Sequence, residues 1–259
     1  FLREEWVGQH IKHHNVMRIY KRPDNAKFMY HVCEFIDGQT LRQWMLDNPL
    51  PSIEQVRGII RPLVDALRVL QRKDMVHRDV KPENVMVDHN GEVKLIDFGT
   101  VLVNALVETN SLPQENIALG SVHYIAPEYL LTQNSDHQCD LFSVAVVVYE
   151  MLTGHLPFKP FRYQDYIPGA YYEWEYLPVS KYRTDLPVWL DLTLKKALQP
   201  NPALRYQAFS EFLMDLSQPN QRLLLTIQKQ PLIQRNPLLV YQGICLIQLV
   251  IILFMLWKA

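Results

Sequence analysis

The stretch Met75–Asn84 reads M-V-H-R-D-V-K-P-E-N, and Asp97-Phe98-Gly99 begins thirteen residues after Asn84. Between the two polar clusters lie Val85-Met86-Val87, a turn over Asp88–Gly91, and the run Val93–Ile96. Short apolar runs about such a turn predict a β-hairpin, with Asn90-Gly91 supplying the positive φ angles of a tight reversal. A hairpin returns the chain to its start, so Asp79, Lys81 and Asn84 are expected beside Asp97. Two carboxylates, an amide oxygen and an ammonium then share a small volume. That set can hold a divalent cation, neutralise phosphate and orient a hydroxyl. The competing reading is a charged, solvated turn.

The remaining chain has the means to build a core around this centre. It holds 259 residues, 48% of them hydrophobic, enough for one large domain or two small ones. A formal net charge of −1 gives no bulk attraction for nucleic acid. Cys33, Cys139 and Cys245 are odd in number and far apart, without metal-ligand spacing, which points to a reducing compartment. The sequence as given does not open on a secretory-signal pattern. The chain opens on Phe1, already inside a helical pattern, and reads as a piece of a longer protein.

Taken in order, Phe1–His14 is amphipathic, with Phe1, Leu2, Trp6, Val7 and Ile11 apolar. Val16–Lys21 and Phe28–Phe35 predict two strands about a turn at Pro23-Asp24-Asn25. Ser52–Lys73 predicts a long buried helix opened by a Ser52/Gln55 capping box, with Pro62 expected to kink it or remove one hydrogen bond. His137–Leu152 is a strongly apolar helix, and Leu186–Leu198 and Ala208–Leu216 predict two more. Phe161–Tyr182 is rich in aromatics: a docking or membrane-facing surface on one reading, rings packing a small helix onto the core on the other. Leu238–Trp257 contains no charged residue, and as a helix its twenty residues span about 30 Å, the thickness of a bilayer core. Tyr241 and Trp257 stand near its ends, and Lys229 and Arg235 precede it.

His77-Arg78-Asp79-x-Lys81-x-x-Asn84 followed by Asp97-Phe98-Gly99 resembles the catalytic core of the eukaryotic-type protein kinases. Gly120-Ser121-Val122-His123-Tyr124-Ile125-Ala126-Pro127-Glu128 is similar to the end of that family's activation segment, and Asp140-x-x-Ser143-x-Ala145 to its central helix, with alanine in place of glycine. The resemblance covers nearly all of Glu4 to Leu216 and implies an α+β, protein-kinase-like fold with a mainly helical large lobe. The small lobe is incomplete: the Gly-rich loop and the lysine of the third strand are not in this sequence, so this piece is expected to bind ATP poorly or not at all until they are restored. By the same resemblance Asp79 orients the substrate hydroxyl, Lys81 meets the γ-phosphate, and Asn84 and Asp97 ligate Mg2+. Glu34 and Ile36 offer backbone groups to the adenine, with Cys33 as gatekeeper. Glu4, or Glu5 if the register slips by one, is the glutamate that pairs with the missing lysine. Lys81 two residues after Asp79 resembles serine/threonine kinases rather than tyrosine kinases. Arg78 meets either an activation-loop phosphate or a fixed carboxylate, Thr109 and Ser111 are candidate phosphorylation sites, and Arg205 is expected to pair with Glu128.

The expected organisation is a small-lobe remnant over 1–35, a large lobe over 36–217, a linker over 218–237 and a transmembrane helix over 238–257. Ser210-Glu211-Phe212-x-x-Asp215-Leu216, a linker and a hydrophobic end look like the carboxy-terminal part of bacterial phosphatase–kinase fusions. That likeness implies a phosphatase domain upstream, while the uncharged span predicts single-pass anchoring, the basic residues before it a cytoplasmic kinase, and the kinase resemblance implies protein substrates carrying serine or threonine. The alternative is a pseudokinase or membrane-tethered scaffold, against which the four intact polar residues argue. A small-molecule kinase is disfavoured by the Ala-Pro-Glu segment and Arg205, which build a surface for a polypeptide.

Overall fold

The computed structural model describes residues 2–23, 25–103, 122–132, 136–159, 174–228 and 237–258. The chain divides into two units, 1–218 and 219–259. The first begins with helix α1 (Leu2–His10), the short strands β1 (Ile19–Tyr20) and β2 (Val32–Cys33), then β3 (Gly38–Thr40) and α2 (Leu41–Asp47). The long helix α3 (Ile53–Gln71) leads to β4 (Met75–Val76), β5 (Val85–Asp88), β6 (Val93–Leu95) and β7 (Leu102–Val103). Helices α4 (Pro127–Thr132), α5 (His137–Thr153), α6 (Val188–Ala197) and α7 (Phe209–Ser217) complete it.

Two helices make the centre. In α3 the residues Val56, Ile59, Ile60, Leu63, Val64, Leu67 and Leu70 recur at helical spacing and are all buried. They meet α5, where Leu141 to Tyr149 are all buried, polar Ser143 among them. A helix apolar on every side belongs inside a protein, and α5 is enclosed by α3, α6 and the catalytic segment.

The Ser52/Gln55 capping box forms as expected: Gln55 N donates to Ser52 Oγ at 3.2 Å and Ser52 N to Gln55 Oε1 at 2.9 Å. Helix α3 runs unbroken through Pro62. Proline removes one N–H, whose acceptor would be the carbonyl of Gly58, and Gly58 lies on the exposed face where water can take its place. Nothing lies within 4 Å of a Cβ added at Gly58. Gly58→Ala is therefore expected to stabilise the protein by about 0.8–1 kcal/mol, read from urea unfolding. A destabilised variant would show that α3 needs a local distortion there.

The sheets are small. Strands β3, β5 and β6 form one antiparallel sheet, with Thr40 opposite Met86 and Met86 opposite Lys94. Strand β4 pairs with β7, and β1 with β2 through Ile19 opposite Cys33. The two strands expected over Val16–Lys21 and Phe28–Phe35 thus shrink to two residues each, with Tyr20, Phe28 and Tyr30 exposed. A two-stranded ribbon has little to hold it beyond the pairs it buries. The turn of the hairpin also differs from expectation. Gly91 has φ +83°, but Asn90 does not have positive φ, so this is not a two-residue Asn-Gly turn. The loop spans 89–92 and is built on Asp88, whose Oδ1 accepts from Asn90 N at 2.8 Å and Glu92 N at 2.7 Å.

The aromatic stretch resolves in part. Trp174 is buried and stands edge-on to Phe142 and Phe158, and Tyr176 gives its hydroxyl to Asp191 Oδ1 at 2.7 Å. These two rings pack into the large lobe, whereas Tyr163, Tyr166, Tyr171 and Tyr172 lie outside the described residues.

The second unit contains α8 (Gln221–Gln228), inside the stretch expected as a linker, and α9 (Pro237–Lys258). Among the described residues no helix is long and apolar enough to cross a membrane, so the span expected over Leu238–Trp257 has no support from the fold. The described side chains of α9 run over 241–253 and 255–257 and are exposed, with Leu246, Leu249, Ile252 and Leu256 each more than half so.

Candidate active site

The loop between β4 and β5 carries the site, and α5 holds that loop. Asp140 Oδ2 accepts His77 N and Oδ1 accepts Arg78 N, both at 2.9 Å. The carboxylate is only 2% exposed. Burial pushes its pKa up, and His77 together with the two N–H bonds pulls it down. The loop is fixed from the other side by Thr100, whose Oγ1 donates to the His77 carbonyl at 2.9 Å. Arg78 and Asp97 adopt positive φ, +70° and +64°, which side-chain-bearing residues rarely do. Such backbone persists where the surroundings over-determine it, and here the buried Asp140 carboxylate holds Arg78 N and the buried Phe98 ring follows Asp97. Phe98 is fully buried and stands edge-on to His77 at 6.1 Å between ring centroids. That contact anchors the segment on which Asp97 is carried and leaves Asp97 itself exposed.

Three of the four expected residues meet directly. Lys81 Nζ lies 2.6 Å from Asp79 Oδ2. Asn84 Nδ2 donates to the Asp79 carbonyl at 2.8 Å and to Asp79 Oδ2 at 2.9 Å. The hairpin closes as expected behind them, Ile96 N donating to the Asn84 carbonyl at 2.9 Å, which places Asp97 one residue beyond the contact. Asp97 Oδ1 accepts Gly99 N at 3.1 Å, orienting the carboxylate.

These residues fit a small hard cation. Asn84 spends its amide hydrogens on Asp79, which leaves Oδ1 as the ligand atom, and Asp97 adds a carboxylate. Among the described residues no three or more His, Cys, Asp or Glu gather as a self-sufficient metal centre. Two oxygen ligands with the rest supplied by phosphate and water is the habit of Mg2+.

Several expected residues have other partners. Arg78 Nε donates to the Thr100 carbonyl at 2.6 Å and its guanidinium lies over the Tyr129 ring, so a backbone carbonyl takes the place of the fixed carboxylate. Glu4 Oε2 faces His31 Nδ1 at 3.3 Å, whereas Glu5 turns to Gln9 and Arg22. Glu34 gives its N–H to the Arg18 carbonyl at 3.0 Å, so what it has for a base is its carbonyl. Ile36 sits half-buried in the extended segment after it. Thr109, Ser111, Gly120 and Ser121 lie outside the described residues. The pair expected between Glu128 and Arg205 is formed, with two contacts of 2.6 Å.

One cluster carries no sequence signal. Arg42 on α2 donates through Nε to Glu83 Oε1 at 2.8 Å, through Nη1 to Glu150 Oε1 at 2.7 Å and through Nη2 to Tyr124 Oη at 2.5 Å. Tyr124 in turn donates to Glu150 Oε2 at 2.5 Å. Burial, then the Glu150 charge, push the Tyr124 phenol well above its usual range. The cluster ties the catalytic loop, the Ala-Pro-Glu segment and α5 together. A lone arginine on a short helix gives no hint of three partners so distant in sequence.

A carboxylate held against an ammonium and an amide, with a second carboxylate at the far end of the hairpin that follows, is a site suited to phosphoryl transfer. The protein kinase domain family matches residues 1–227, and the chain belongs to that family. Similar proteins include a probable serine/threonine-protein kinase PknB of Lactococcus lactis, 31% identical over 226 residues, which cover 84% of this chain and 34% of the relative. The serine/threonine-protein kinase PrkC of Bacillus subtilis is 28% identical over 216 residues, covering 83% of this chain and 33% of the relative. PknB of Mycolicibacterium smegmatis is 33% identical over 225 residues, covering 83% and 35%. The chain thus spans about a third of the length of these relatives.

Proposed function

We propose that the whole protein is a serine/threonine kinase that moves the γ-phosphoryl group of ATP onto hydroxyls of protein substrates. The observation that carries this reading is the contact of Asp79 with Lys81 and Asn84, 2.6 and 2.9 Å. Mg2+ bound with ATP would supply charge neutralisation at the phosphates. The chain's own residues do the rest. Asp79 accepts a hydrogen bond from the incoming hydroxyl and takes up its proton. Lys81 sits against Asp79 with its charge ready for the transferring group, and Asn84 and Asp97 would hold the ion. Asp140 keeps the loop in this shape.

The reading extends to anchoring by α9 in a membrane, with the kinase on the cytoplasmic side. What supports it is the sequence: the twenty residues of Leu238–Trp257 carry no charge, and Lys229 and Arg235 precede them. On the likeness of this tail to phosphatase–kinase fusions, the same reading puts a metal-dependent phosphatase upstream of the kinase.

The test is transfer of labelled phosphate by the full-length protein to a generic basic protein and to itself, with membrane and soluble fractions assayed separately. Label on serine or threonine, in a membrane fraction released by detergent but not by salt, is the expected result. ATP binding without transfer would favour a scaffold, and a salt-released protein would remove the anchor.

A further inference from the structure

We propose that Lys94 is a positioning residue for the nucleotide, acting through an ion pair with Glu34; the inference rests on the kinase reading above. Strand β6 alternates, burying Val93 and Leu95 and turning Lys94 to the opposite face. There Lys94 Nζ meets Glu34 Oε1 at 2.7 Å, with the two side chains only 19% and 16% exposed. Water screens such a pair far less than one on the open surface.

The place of the pair gives it a role. Glu34 leaves β2 and begins an extended segment, 34–37, that belongs to no strand. At its far end Gly38 lies against β5 so closely that a Cβ there would come 2.3 Å from the Val87 carbonyl oxygen. The segment is thus pinned to the central sheet at both ends, by backbone contact at Gly38 and by charge at Glu34. Strand β6 is itself clamped from the other side. Leu95 N donates to the Asn15 carbonyl at 2.8 Å, Met17 N donates to the Leu95 carbonyl at 3.0 Å, and Asn15 Nδ2 reaches the Val93 carbonyl at 2.8 Å. Asp97 follows Lys94 by three residues, about 10 Å of extended chain. One short strand therefore fixes the segment that would meet the base at one end and the carboxylate that would meet the metal at the other. Lys94 is the side chain that joins the first of these to the strand.

The experiment is steady-state kinetics of the full-length protein with ATP varied, alongside calorimetric ADP binding and thermal melting. Lys94→Met is expected to raise KM for ATP and Kd for ADP about five- to tenfold, with kcat within about twofold. Lys94→Arg should restore both constants. Glu34→Gln should weaken binding to a similar degree, and adding Lys94→Met to it should cost little more, since both remove one interaction. Unchanged KM in Lys94→Met overturns the inference and leaves the kinase reading intact. A fall in melting temperature and kcat together, not rescued by Lys94→Arg, overturns it in favour of a purely structural pair. If the wild-type protein binds no ADP, the assignment of the base to Glu34 and Ile36 falls, and this inference with it.

Discussion

Asp79→Asn in the full-length protein is expected to lower kcat for phosphate transfer by about 10²–10⁴-fold while ATP still binds. The size follows from two losses at one position. The amide cannot take up the proton of an attacking hydroxyl. It also meets Lys81 Nζ and Asn84 Nδ2, now 2.6 and 2.9 Å from Asp79 Oδ2, with a neutral oxygen in place of a charged one, so the ammonium loses its counter-charge. Asp97→Asn removes instead the only carboxylate offered to the metal by this pair of ligands, and transfer should fall by orders of magnitude together with the magnesium dependence of nucleotide binding. Neither side chain is buried, so both variants should fold, and a melting curve close to the wild type is part of the expected result. Single-turnover transfer with ADP binding measured in parallel separates the two. Near-normal transfer in either variant would remove that residue from the chemistry and the reading of the site with it.

What made the site legible was local chemistry on a short return path. Asp79, Lys81 and Asn84 lie within six residues of one loop, so short spacing brings these three together, and the hairpin after them returns Ile96 N to the Asn84 carbonyl. The buried faces of α3 and α5 were equally open, since apolar residues at helical spacing can be satisfied in few ways. The turn of the hairpin was misread because Asn-Gly suits a two-residue reversal, yet an aspartate two residues earlier offers its carboxylate to two backbone N–H groups and favours a longer loop. Strands β1 and β2 were overextended because exposed aromatic and β-branched residues carry strand propensity without a partner to pair with. Contacts between distant segments left no local trace. Arg42 reaches Glu83, Tyr124 and Glu150 across as many as 108 positions, and Lys94 reaches Glu34 across the sheet. Composition and periodicity describe what a segment buries, not which charge on another segment it will find.

Arg205→Met is expected to destabilise the first unit by about 3–5 kcal/mol, the cost of leaving one charge of a buried pair without its partner. Arg205 is 3% exposed and meets Glu128 with two parallel contacts of 2.6 Å, a planar fork on a planar carboxylate. It also donates to the carbonyls of Gln199 at 2.5 Å, Pro200 at 2.9 Å and Gln138 at 3.2 Å, and its guanidinium lies over the Phe142 ring. Methionine fills much of the same volume but offers no donor. The Glu128 carboxylate keeps Cys139 Sγ at 3.3 Å but loses its cationic partner. Because Glu128 closes the segment that carries Tyr124, and Gln138 lies two residues before Asp140, the loss should extend to transfer activity through the loop that Asp140 holds. The double variant Arg205→Met, Glu128→Leu separates charge from packing. With the carboxylate gone as well, much of the lost stability should return, since apolar side chains of similar volume often replace a buried ion pair at little cost. The recovery stays incomplete to the extent that the Gln199 and Pro200 carbonyls still miss the donors Arg205 gave them. Urea unfolding of the wild type, the single variants and the double variant measures all of these terms. A loss below about 1 kcal/mol in Arg205→Met would mean that water reaches Glu128 as freely as it reaches a surface carboxylate, and the pair would then be no part of what holds the large lobe together.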